Sequence, residues 1–343
     1  MNMLRSLLLI ALCALTPCSY ADGKTYTLGV VPWAGCIPAV IADHEGFWKK
    51  QDVAVKVLVF DDMQTLEKMF YNRRLDILYH MLAAATAPYL SEVRVIGAQQ
   101  NKIRSAETRI IAELDWSHGG DKVIVKNQLD AAMLKGKAVG IYLTQPSLLH
   151  LLGLYLESAG LTLTDVKLIE KDTATLSDRF IKDGFSAIVS YDPDALRAEQ
   201  QGNGKVVATS ADHAGIIPEG LMMLSDTFTA TPPEDLSKIL AGWIQALEWM
   251  LDSANAEEMT ALANAHLFRA ATPFSADEIS AMMAGVRFHD QKTLRARNLE
   301  GGTAKYFQEL HDFLQRHQLL EKSFTANVLF NNQAIAAALE QTK

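Results

Sequence analysis

Strand-like apolar runs alternate with segments of helical spacing along most of this chain, and the alternation passes through two cycles. The first opens with Thr27 to Val31, stopped by Pro32. Ile37, Val40 and Ile41 then recur at helical spacing, with Gly46 placed as a helix C-cap. Val53 to Phe60 alternates with period two, Leu66, Met69 and Phe70 are helical again, and Ile77 to Tyr79 and Val93 to Ile96 read as short strands. A second cycle follows Gly120, with strands at Val123 to Val125, Lys137 to Ile141, Val166 to Ile169, Ala187 to Ser190 and Val206 to Ala208. Its first helix is expected to take Thr144 as N-cap and Pro146 in its first turn. This rhythm predicts an α/β fold with parallel sheets flanked by helices. From Pro233 onward only helices are expected, with Met282, Met283 and Val286 in one of them. No Gly/Ser linker separates the cycles. They are therefore expected to be joined by strands that pass between them, with Ile110 to Ala112 and Leu221 to Leu224 as candidates. Such a two-strand hinge leaves a cleft that can close on a ligand.

The N-terminus carries an address. Arg5, the short apolar run Leu7 to Leu15, and Ser19-Tyr20-Ala21 have the order of a secretory signal peptide cut after Ala21. The run is too short for a membrane span, which needs about 20 residues. Cleavage would remove Cys13 and Cys18 and leave Cys36 alone, so no intramolecular disulfide is expected. The net charge of −8, one unit more negative once Arg5 leaves, and the lack of a basic cluster argue against nucleic acid as a partner. The nine histidines show no metalloprotease spacing, and no nucleophile elbow, phosphate loop or zinc-type Cys/His cluster is present. No catalytic residue, metal or cofactor is expected.

Three blocks carry a resemblance. They are Leu28 to Trp33 with Pro38 to Ala42 and Glu45-Gly46-Phe47-Trp48; Leu134 to Ile141 with Leu156 to Leu161 and Asp165-Val166; and Ser186 to Pro193. In this order they resemble the NMT1-like family of periplasmic substrate-binding proteins, which includes sulfonate, taurine, nitrate and thiamine-pyrimidine binders. Asp115 to Asp121 and Ser210 to Gly220 are similar to segments before the second lobe and on the return strand of some members. The polar stretch Asn101 to Arg109 is longer than usual there. The resemblance implies a two-lobed periplasmic binding protein of type II, with a two-strand hinge and a helical C-terminal segment that returns to brace the first lobe. Residues 1–21 would be the signal peptide, 22–120 and 222–343 lobe I, and 121–221 lobe II. The protein would be a periplasmic monomer that captures a small molecule and delivers it to the membrane permease of an ABC importer. Closure read by a membrane sensor is the first alternative, and a pyrimidine-precursor biosynthetic enzyme the second.

Candidate ligand-binding residues lie at strand ends, where open α/β sheets hold their ligands. Trp33, Gly35 and Cys36 follow the first strand, with Trp33 either stacking on a ligand or filling core. His80 follows the third strand, as ligand donor or structural histidine. Thr144, Gln145 and Ser147 open a helix, where free N–H groups favour an anion or simply cap. Tyr191 and Asp192 end a strand of the second cycle. Asp115, Ser117, Asp121 and Glu219 take family positions near cleft and hinge. If Asp115, Asp121, Asp192 and Glu219 converge, the ligand carries a cationic or multiply donating group; otherwise the acids cap turns and cross-link the hinge. Anionic, zwitterionic and cationic ligands all remain open at this point.

Overall fold

The computed structural model describes residues 23–90, 106–142, 145–269 and 271–342. The expected signal peptide, the strand at Val93 to Ile96, Thr144 and most of the polar stretch 101–109 lie outside them.

Eleven strands among the described residues form two sheets. They are β1 (Thr25–Val30), β2 (Ala54–Val59), β3 (Ile77–Met81), β4 (Thr108–Ser117), β5 (Asp121–Lys126), β6 (Ala138–Ile141), β7 (Lys167–Glu170), β8 (Ala187–Tyr191), β9 (Gly204–Thr209), β10 (Pro218–Leu224) and β11 (Val286–Phe288). The first sheet has the order β11-β4-β10-β3-β1-β2 and the second β7-β6-β8-β5-β9. Each contains a parallel triplet with helical crossovers, β2-β1-β3 and β7-β6-β8. The strands that leave or re-enter a sheet add to it antiparallel: β4 and β10 in the first, β5 and β9 in the second. Helices cover both sheets, as the alternation requires. This is the two-lobed α/β architecture.

The chain crosses between sheets twice, and both crossings are short. Only His118, Gly119 and Gly120 separate β4 from β5. The return uses the residues between β9 and β10. The Ser117 and Ser210 hydroxyls hydrogen-bond at 2.7 Å, and Gly119 N–H donates to Ser210 Oγ at 2.8 Å, so the two crossings are pinned together. Ile110 to Ala112 and Leu221 to Leu224 belong to the strands that feed the hinge, but they lie within the first sheet rather than in the crossings. The boundary expected at residue 221 lies within the first sheet. It falls inside β10, whose whole length pairs with β4, so the return is complete by Pro218.

The C-terminal third differs from expectation in one element. Helix Ala276–Ala284 ends before Gly285, and Val286 begins β11, an edge strand paired antiparallel with β4. Three residues are too few to show a period-two pattern, which is why helical spacing absorbed Val286. The rest is helical. Helix Pro233–Leu251 packs on helices Ile37–His44 and Phe47–Lys50, and the Trp48 indole N–H donates to Ile239 O at 3.0 Å. Helix Gly302–Arg316 touches both sides of the molecule. Its Phe313 ring stacks on His150 of helix Pro146–Glu157 at 4.3 Å, and His317, just past its end, is 2.8 Å from Glu157 Oε1.

Besides the β11 pairing, a buried carboxylate fastens the third to the first sheet. Glu113 of β4 is fully buried and takes the Arg297 guanidinium through Nε at 2.6 Å and Nη2 at 3.1 Å. Thr303 Oγ donates to it at 2.7 Å, and His289 Nε2 lies 3.1 Å away. Asn298 pairs with both the N–H and the C=O of Glu113, each at 2.8 Å. Burial disfavours the ionised carboxyl, but His289 and Arg297 outweigh it and hold Glu113 below its ordinary value.

Candidate functional site

The facing ends of the two sheets enclose a narrow cavity. Val31, Trp33, Met63, Tyr79, His80 and Glu219 line it from the first-sheet side, and Asp121, Tyr142 and Tyr191 from the second. About 20 Å³ is open to the centre of a water molecule, room for roughly one. Gln64 Nε2 donates to Tyr142 O at 3.2 Å and Gln145 Nε2 to Glu67 Oε1 at 2.7 Å. Side chains from the two sides thus bond across the cleft, and the lobes are closed on one another.

Most of these side chains are placed by strand ends, and Met63 opens helix Met63–Tyr71. Trp33 sits three residues past β1, in the turn before the 3₁₀ segment Ala34–Cys36. Its indole N–H donates to Glu219 Oε2 at 2.7 Å. Tyr79 of β3 stacks on Trp243 at 5.6 Å with nearly parallel rings, which fixes its phenol. The phenol hydroxyl lies 2.8 and 2.9 Å from the two Asp115 oxygens and 3.0 Å from Glu219 Oε2. Asp115 and Glu219 are register partners on β4 and β10. Asp121 opens β5 and pairs in register with Tyr191, the last residue of β8. Tyr142, directly after β6, donates its hydroxyl to Asp121 Oδ1 at 2.6 Å. The Tyr191 ring meets Tyr142 edge-on at 4.9 Å and Trp33 at 5.8 Å.

The electrostatics are unusual for a buried site. Two carboxyls placed opposite each other on neighbouring strands repel when both are ionised. Burial pushes the Asp115 carboxyl up to about 7. Burial and the charges of Asp115 and Asp121 push Glu219 well above its ordinary value. The pair therefore keeps at least one proton at neutral pH, and one phenol proton from Tyr79 is shared among the remaining acceptors. Asp121 is raised by burial too, against stabilising hydrogen bonds from Ser117 and Tyr142. No Lys or Arg is among the residues that line the cavity. The nearest ammonium on the second-sheet side, Lys122, is committed to Asp192.

The structure sorts the sequence candidates clearly. Trp33, His80, Asp121, Tyr191 and Glu219 line the cavity. Gly35, Cys36 and Asp115 lie directly behind it. A Cβ on Gly35 would come within 2.2 Å of the Tyr79 hydroxyl and 2.7 Å of Trp33 Nε1, so only glycine lets both groups reach the acids. The Cys36 thiol is fully buried and raised by burial, an inert packing group. Ser117 belongs to the hinge, where it bonds Ser210 and accepts from Asp121 N–H. Gln145, not a preceding threonine, occupies the N-cap of helix Pro146–Glu157; it bonds Glu67, and buried Ser147 does not line the cavity. Asp192 also stays out of the lining, held in its ion pair with Lys122. The expected anion-binding helix end therefore contributes no cavity wall among the described residues. Val31, Met63, Tyr79 and Tyr142 were missed. For Tyr79 and Tyr142 the strand-end rule that singled out His80 and Tyr191 would have found them.

Gly35→Ala is expected to overpack this floor and lower stability by about 1–3 kcal/mol, read by urea denaturation. An unchanged midpoint would show that Tyr79 and Trp33 can yield without cost.

Comparison with known proteins places this geometry. The fold is that of the two-lobed periplasmic binding proteins. The profile of the NMT1-like family matches residues 21–264, most of the chain, and the chain belongs to that family. The periplasmic nitrate-binding protein NrtA of Synechocystis PCC 6803 superposes with a TM-score of 0.71 at 15% identity, over 94% of this chain and 90% of that one. The alkanesulfonate-binding protein SsuA of Xanthomonas axonopodis pv. citri, bound to MOPS, gives 0.67 at 14% identity, over 91% and 100%. The desulfurization enzyme DSZB gives 0.59 at 14% identity, over 93% and 100%, so the fold hosts catalysis as well as binding. At these identities the likeness establishes the fold. No curated protein sequence matches the chain.

Proposed function

We propose that this protein is an extracytoplasmic solute-binding protein, exported through its N-terminal signal and working as a monomer beside an ABC-type permease. The observation that carries the reading is the cavity itself. It lies between two sheets joined by two short pinned crossings, and its walls come from strand ends on both sides. A ligand held there bridges the lobes and stabilises the closed form, which is the form a permease would recognise. In this reading lobe II spans β5 to β9, and the remaining described residues form lobe I. The family membership and the binding-protein neighbours support it. Export to the periplasm rests on the Arg5 and Ala21 signal pattern together with the neighbours' compartment.

The site favours binding over turnover. Its hydroxyls and carboxyls are hydrogen-bonded to one another, and the one cysteine beside it is a buried thiol. A thermal-shift series with small solutes is expected to show a melting temperature that climbs with ligand concentration. Mass spectrometry of the same mixtures should recover the ligand unchanged. Consumption of the ligand, or no shift from any solute class in folded protein, would overturn the proposal.

A further inference from the structure

Resting on that reading, we infer that the cavity selects a compact aliphatic amine in its ammonium form, and not an anion. Two buried carboxyls, Glu219 of β10 and Asp121 of β5, line the cavity, and Asp115 of β4 stands behind Glu219. The pair Asp115 and Glu219 shares Tyr79 as donor, and Asp121 takes Tyr142. No Lys or Arg lines the cavity, so any charge these acids carry meets no such partner in its wall. Uncompensated buried charge is costly, and a cationic guest removes that cost.

Two further observations point the same way. His80 is 1% exposed and lines the cavity, and its Nδ1 has no hydrogen-bond partner among the described residues. An imidazole nitrogen in that position can accept an N–H from the guest. Four aromatic rings complete the wall: Trp33, Tyr79, Tyr142 and Tyr191. Aromatic faces attract ammonium groups and repel anions. The space available to a water-sized centre, about 20 Å³, admits only the smallest of heads without the walls moving.

Calorimetric titration would use methylammonium, dimethylammonium, ethanolamine and tetramethylammonium, with nitrate and methanesulfonate as the anionic arm. Saturable one-to-one binding is expected in the ammonium series. Asp121→Asn is expected to weaken it about 30-fold or more. Should that variant fold poorly, Glu219→Gln, titrated at alkaline pH where the acid pair has lost its proton, removes the other cavity-lining carboxylate and is expected to weaken ammonium binding there. Ammonium affinity unchanged in the folded variants overturns the inference. Binding of nitrate or methanesulfonate without any amine also overturns it, while leaving the solute-binding reading intact. If neither series binds, the amine inference falls, and the wider thermal-shift series decides separately whether any solute is bound.

Discussion

Glu113→Ala is expected to lower stability by about 3–5 kcal/mol, the largest loss of any single truncation considered. The wild-type carboxylate is buried without exposure and satisfies Arg297, Thr303 and His289 together. Removing it strands an arginine whose side chain is only 18% exposed, with a buried hydroxyl and imidazole beside it. The lost groups also hold helix Gln291–Asn298 and the start of helix Gly302–Arg316 against β4. Calorimetry should show the melting temperature falling by about 5–7 °C. A loss below about 1 kcal/mol, the range of a surface ion pair, would mean the network is not what fastens the C-terminal third.

The second large effect is a stability profile that runs against the usual acid sensitivity. Asp115 and Glu219 have folded values raised above those of the unfolded chain, Asp115 to about 7. The native state therefore holds more protons than the unfolded state above the ordinary carboxyl range. Their contribution is fully present below that range and is lost as pH rises through about 7. The groups facing the pair are Trp33 and Tyr79, which donate to it, with Asp121 and Glu113 adding repulsion from β5 and β4. The ligand-free protein is expected to melt about 5 °C higher at pH 5 than at pH 8. Glu219→Gln should flatten the profile and raise the melting temperature at pH 8, because a neutral amide ends the repulsion. A profile equally steep in the variant would sink the assignment. Glu113 works oppositely: its value is depressed, so its contribution is present at neutral pH and lost only in strong acid.

The α/β rhythm was legible because it rests on local rules, the two periodicities and the strand-end position of ligands. Trp33, His80 and Tyr191 were picked out that way, and Glu219 through the family resemblance. What escaped depends on registry across the chain. Nothing local says that Asp115 faces Glu219, or that Asp121 sits opposite Tyr191; those pairings follow from the antiparallel entry of β4, β10 and β5. Asp192 shows the converse. Its place beside Tyr191 suggested the site, but successive residues at a strand end diverge, and Lys122 one residue along β5 was there to receive it. The strand β11 escaped because three edge residues carry no periodic signal of their own.

Helix Gly302–Arg316 stands beside the hinge and contacts the second lobe. Tyr306, Glu309, Asp312 and Arg316 border the same surface groove as His213 and Gly215, so the helix runs beside the return crossing. Groups near a rotation axis travel little when the bodies they join swing apart. Contacts such as Phe313 on His150 can then persist through opening, while the Gln64 and Gln145 bonds, reaching across the cleft, must break. The helix acts as a door-post. An opening motion about these crossings is expected to have its free edge on the side away from this helix.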